Sequence, residues 1–180
     1  MRLSRGMSLP ELLVVVGLIT IIAAVSMPYL LGAIQNSDFN SAVRQVASDL
    51  RLTRSLAVSQ GGNYRCHAGG DPALGDPTLN NSYRVEHRDP VAGWPPKTAQ
   101  LGSNGDVITN WQDLSSLYGG VTIQSVVDGG GAPIDGAIFN STGASIGSSN
   151  NLRAVIVTLQ KPGGTTKVIQ VDPAGNVKMP

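Results

Sequence analysis

Hydrophobic positions along the chain fall into three regimes. From Leu12 to Ser37 no residue is charged, and Leu12 to Ile34 is apolar almost without interruption. As a helix that stretch would span about 34 Å at about 1.5 Å per residue, enough to cross a bilayer. Beyond Pro28 the pattern turns amphipathic. Phe39, Val43, Val46, Leu50 and Ala57 recur at steps of three, four or seven, while Ser41, Arg44, Ser48, Arg51 and Ser55 mark another face. Gly61-Gly62 then predicts the end of the helix. The remainder alternates short β-prone runs with turn sequences such as "KPGGTT" and "DPAGN". Strands are expected at 63–67, 82–87, 121–126, 136–139, 153–159, 167–171 and 176–179, the last three as a meander. The region from about Gly69 to Tyr118 is rich in Pro, Gly, Asn and Asp, and reads as an inserted system of loops.

The flanks of the apolar run orient it. Arg2 and Arg5 precede it, and no basic residue follows until Arg44. The positive-inside bias therefore predicts a cytoplasmic N-terminus with the rest of the chain outside. A cleaved secretory signal would have a short apolar core followed by a small-residue cut site, and Ala23-Ala24-Val25-Ser26 fits that pattern only loosely. Glu11 stands at the front of the run. A lone carboxylate in a bilayer costs roughly 2.5–3.5 kcal/mol on insertion scales, so a partner or a function is expected for it.

Gly6, then Met7-Ser8-Leu9-Pro10-Glu11, then "LLVVVGLITIIAAVSMP", resembles the class III leader of type IV pilins and type II secretion pseudopilins. The resemblance implies that a prepilin leader peptidase of the inner membrane cuts after Gly6 and methylates the new N-terminus at Met7. Glu11 then corresponds to the family's acid at the fifth position of the mature chain. Cleavage creates an α-ammonium in the membrane, which the carboxylate of a neighbouring subunit can neutralise during assembly. Met7 replaces the family's usual phenylalanine, and Pro10 its usual aliphatic residue. A proline in the first helical turn loses no hydrogen bond. Pro28 lies where pilins often carry a proline that kinks or locally melts the helix. "QVASDLRLTRSLAVSQGG" and the order of "GVTIQ", "GAIFNSTGAS", "AVIVTLQ" and "KVIQVDPAGNVKM" are similar to one subgroup, the GspH/FimT-type minor pseudopilins.

Composition narrows the chemistry. With 14% charged residues and a formal net charge of +1, the 180-residue chain has no strong field for nucleic acid. Removing the leader would lower Lys+Arg from 13 to 11 against 12 acids. Its one cysteine, Cys66, excludes an intramolecular disulfide and is expected as a half-buried strand residue. "GASIG" at 143–147 matches a nucleophile-elbow pattern, but both histidines, His67 and His87, precede it, and a turn is expected. Cys66, His67, His87 and Asp89 lack metal-ligand spacing, since neighbouring strand residues point to opposite faces. Paired carboxylates fall in loops and are read as solvated. Arg51 and Arg54 are read as a solvated helix face.

The resemblance raises DNA uptake, because the FimT branch carries a basic glycine-arginine-x-arginine motif. Here the aligned residues are Gly175-Asn176-Val177-Lys178. Arg153, Lys161, Lys167 and Lys178 face only Asp172 beyond Phe139, whereas Asp106, Asp113, Asp128 and Asp135 form an acidic stretch. These four cations are the candidates for weak nucleic-acid contact, and binding is expected to be weak or absent, since phosphate affinity needs several cooperating cations.

The chain thus reads as an α+β, pilin-like protein: a long N-terminal α-helix, transmembrane in its first half, packed on a small antiparallel β-sheet domain. The expected division is a leader at 1–6, a transmembrane half at 7–34, an amphipathic half at 35–62 and a periplasmic β-rich head at 63–180. Catalytic residues, metal and cofactor are not expected. The implied function is that of a minor pseudopilin of a type II secretion system in the pseudopilus tip. The alternative is a FimT-type minor pilin of a type IV pilus, acting in pilus assembly or DNA uptake. Other pilins or pseudopilins are the implied partners, in a single-pass inner-membrane protein.

Overall fold

The computed structural model describes residues 9–69, 81–96, 99–102 and 106–179, with only the backbone of Pro28. The chain divides between Ser37 and Asp38 into two compact units. One helix, α1 (Leu9–Gln60), runs through the boundary and includes position 28 without a break.

In the first unit, the large apolar side chains from Leu9 to Ile34 are exposed. Its hydroxyls bond back along the helix: Thr20 Oγ1 donates to Val16 O at 2.8 Å, and Ser26 Oγ to Ile22 O at 2.8 Å. Such internal satisfaction lets a polar residue sit in an apolar setting. The segment is long and apolar enough to cross a membrane.

In the second unit, the amphipathic stripe of α1 becomes one wall of the core. Phe39, Val43, Val46, Leu50 and Ala57 are all buried, and Ala42 and Ala47 join them. The serines and arginines of the other face are exposed. Gly61, at φ 72°, closes the helix and donates its N–H to Ala57 O at 3.1 Å.

Two antiparallel sheets complete this unit. β1 (Tyr64–Ala68), β2 (Ser82–His87), β3 (Gln112–Asp113), β5 (Gly136–Phe139) and β6 (Ser145–Ile146) form one, in the order β3-β2-β1-β5-β6. β4 (Thr122–Asp128), β7 (Val155–Gln160), β8 (Thr166–Val171) and β9 (Val177–Lys178) form the other, in that order. The expected terminal meander is present, and β4 pairs beside it with a bulge between Ile123 and Ser125. A short helix, α2 (Leu114–Leu117), is capped by Asp113, whose carboxylate accepts from Ser115 N. β3, β6 and α2 were not anticipated; each is shorter than the period that would reveal it.

The region 69–118, read as loops around an expected strand at 82–87, contains that strand as β2, whose first five residues are buried, and in addition β3 and α2. β1 is buried throughout as well, so both central strands are covered on both faces. Register puts Tyr64, Cys66 and Ala68 on one side with Tyr83, and Arg65 and His67 on the other with Glu86 and Arg84. Cys66 is more deeply placed than expected, 6% exposed within the hydrophobic core.

Candidate functional site

Gly6 and Met7 lie outside the described residues. Glu11 stands in the first turn of α1 with its side chain exposed among exposed leucines and valines. Position 28 lies inside the same helix. The placement is a lone carboxylate at one end of an uncovered apolar surface, which favours an external cationic partner.

The far end of α1 carries a second arrangement. Arg54 was expected on a solvated helix face, and the structure corrects this: its side chain is half-buried and engaged. Its Nε donates to Gly143 O at 3.1 Å, Nη1 to Asn176 Oδ1 at 3.2 Å and Nη2 to Ala174 O at 3.2 Å. Arg51 Nη2 reaches Val177 O at 3.3 Å. The planar guanidinium thus ties the helix to two turns at once. Gly175, at φ 83°, approaches Gly143 so closely that a Cβ would overlap Gly143 O. The "GASIG" stretch is a turn leading into β6, and Ser145 Oγ is buried with no hydrogen-bond partner among the described residues.

The feature that sequence reading missed is a buried charge cluster on the face of the first sheet turned away from α1. Glu86 accepts from Arg65 Nε at 2.7 Å and from Arg84 Nε at 2.5 Å, with His67 Nδ1 at 3.2 Å. Arg65 also holds Asp135 at 2.7 Å. Trp94 lies 4.5 Å from the Arg65 guanidinium and Trp111 4.4 Å from that of Arg84. Arg84 donates further to Ala99 O and Pro96 O, each at 2.9 Å. Burial alone would raise the Glu86 carboxyl, but the hydrogen bond from His67 and the charge of Arg65 hold it down at about 2. Alternating charges in "YRCHA" and "SYRVEH" were the available signal; alternation alone does not distinguish a solvated face from one covered by a later loop. Among the described residues no group of His, Cys, Asp and Glu could hold a metal ion.

The four candidate cations do not share one surface. Lys167 follows the inward side of β8, donating to Asn40 Oδ1 at 2.6 Å. Lys178 pairs with exposed Gln170 on the opposite face and lies 3.6 Å from Asp172. Arg153 precedes β7 and pairs with Asp128 at 3.3 Å. Lys161 sits in the β7–β8 turn, at the Lys167 end. Arg153 lies six residues from Leu159, the register partner of Lys167, roughly 20 Å at about 3.3 Å per residue.

The family model of the type II transport protein GspH matches residues 42–175 of this chain. The chain belongs to the GspH family. Its fold is pilin-like. The minor pseudopilin EpsH from the type 2 secretion system of Vibrio cholerae is 12% identical, with a TM-score of 0.52 over 79% of this chain and 96% of that one. The type IV minor pilin FimU of Pseudomonas aeruginosa is 16% identical, with a TM-score of 0.49 over 81% and 90%. No curated protein matches the chain. Membership in the GspH family makes this a pilin-like minor pseudopilin, one of a family of structural subunits. Together with the apolar N-terminal helix, it supports a membrane-anchored component that assembles with other pilins or pseudopilins.

Proposed function

We propose that this chain is a minor pseudopilin of a type II secretion system, entering the pseudopilus tip through α1 to support protein export. The observation that carries the reading is the GspH match at 42–175 in a chain whose apolar helix carries Glu11 in its first turn. In this reading the leader peptidase removes residues 1–6 after Gly6, and Met7 becomes the methylated N-terminus. Residues 7–34 cross the inner membrane with the N-terminus in the cytoplasm. Residues 35–62 continue the helix, and 63–180 form the periplasmic head. Glu11 pairs with the α-ammonium of a neighbouring subunit, and Pro28 gives the helix local freedom to adjust during assembly.

DNA binding in this reading is weak or absent. What favours that is the placement of Lys167 and Lys178 on opposite faces and the carboxylate partners of Lys178 and Arg153. Deleting the gene tests the function. The expected result is retention of exported proteins within the cell while surface pili and DNA uptake persist. Normal export with lost pili or lost uptake would favour the type IV pilus alternative.

A further inference from the structure

α1 is helical from Leu9 among the described residues, which puts Pro10 in its first turn beside Glu11. The large apolar side chains of this half are exposed, so among the described residues no tertiary contact fixes where the helix begins. Its start is set by local chemistry, and Pro10 obeys the strictest local rule. A helical N–H donates to the carbonyl four residues earlier. Proline has no N–H, and its ring fills the space which that carbonyl would take. Counted back from Pro10, the fourth residue is Gly6.

A helix containing Pro10 can therefore reach back to Met7 as its N-cap, with the Glu11 N–H making the first bond, to Met7 O. It cannot take in the Gly6 carbonyl. This stop coincides, to the residue, with the bond cut in the processing reading above. A proline one position earlier would bar only Arg5, and one position later would bar Met7 and cost the mature helix its first bond. The cut is a hydrolysis. A water oxygen bonds to the Gly6 carbonyl carbon, the bond to Met7 N breaks, and both water protons pass to that nitrogen. It becomes the α-ammonium, and residues 1–6 leave with a carboxylate. A carbonyl inside a helix is occupied by a helical N–H, whereas one outside it is a free acceptor, open to pairing and to attack.

We infer that Pro10 is a positioning residue for leader removal: it keeps the scissile carbonyl of Gly6 outside α1 and open to attack, and still lets the mature helix begin at Met7. The inference rests on the processing reading above. It is tested on the full-length precursor in membranes with its leader peptidase, by following the initial rate of cleavage and the carbonyl resonance of Gly6. Gly6-Met7 is the only Gly-Met pair in the sequence, so carbonyl-labelled glycine with nitrogen-labelled methionine reports this one peptide. Pro10→Ala supplies the missing donor. With helix propagation near one per residue, about half the chains then take up Gly6. Cleavage should slow roughly twofold, and the Gly6 carbonyl resonance should move to the helical side. In the Pro10→Ala chain, Leu9→Pro bars only Arg5 and should leave the rate low. An unchanged rate in Pro10→Ala, a slowed rate without movement of the Gly6 resonance, or recovery of the rate by Leu9→Pro would overturn the inference. A parent chain that the peptidase leaves uncut after Gly6 would overturn the processing reading itself.

Discussion

At the scale of single residues, Glu86 bears the heaviest electrostatic burden. It is fully buried and is the shared acceptor of two guanidiniums. Glu86→Gln preserves shape but leaves Arg65 and Arg84 facing a neutral amide. Breaking one partner of a buried ionic group costs about 3–5 kcal/mol, and urea unfolding at neutral pH should show a loss of that size. A loss below about 1 kcal/mol would mean that water solvates the cluster, as at an exposed pair. Cys66 illustrates the opposite case. Burial, reinforced by the negative charges of Asp49 and Glu86, pushes its thiol up, so the reactive thiolate is scarce. An aqueous thiol reagent should therefore modify Cys66 only at the rate of unfolding. Rapid stoichiometric labelling in the native state would contradict its core position.

At the scale of elements, α1 is asked to do two different things along its length. Its second half is fixed to the sheets by the buried stripe and by Arg54. Arg54→Ala removes three hydrogen bonds donated by a charged group to two turns. We expect a loss of about 1 kcal/mol, the range for ordinary hydrogen bonds, since two of the three are exposed to solvent, together with faster amide exchange at Gly143 and Asn176. Unchanged exchange at both would show that the turns hold themselves. The first half shows no such anchorage among the described residues, and Glu11 is its only acid. Glu11→Ala should leave membrane insertion intact, because removing a charge from an apolar helix makes insertion easier. Assembly should fail, because an α-ammonium without its partner costs several kcal/mol in a low-dielectric setting. Membrane fractionation with crosslinking to neighbouring subunits separates the two effects. Wild-type crosslinking by an inserted Glu11→Ala chain would remove the assembly role.

At the scale of the whole molecule, the buried cluster joins the second unit's strands to the covering segment around Trp94 and Trp111, and so couples stability to pH. The Glu86 carboxyl is held at about 2 in the fold, against an unfolded value of 4.5. A group depressed in this way binds fewer protons folded than unfolded. Its contribution is complete above the unfolded value and is lost as pH falls toward about 2. Thermal unfolding of the full chain should therefore hold a steady midpoint from neutrality to about pH 5, then fall steeply toward pH 2. A main loss between pH 7 and 5 would place the sensitive group elsewhere.

The long helix, its apolar first half, its buried stripe and its glycine stop were legible from sequence because each repeats over many residues and depends on local geometry. β2 and β5 were legible to the residue, since compact β-prone runs are bounded by turn residues on both sides. The Gly6, Met7 and Glu11 pattern is a linear one, and its proposed reading as a processing and assembly signal rests on no tertiary contact. Tertiary structure alone decided which polar residues are buried. Arg65, Arg84 and Glu86 alternate as solvated residues do, and only the later segment carrying Trp94 and Trp111 closes over them. Arg54 meets its acceptors about 90 to 120 positions away in the chain. β4 and β5 are consecutive in the chain yet join different sheets. No local pattern encodes such pairings, since their free energy comes from groups that the chain brings together only on folding.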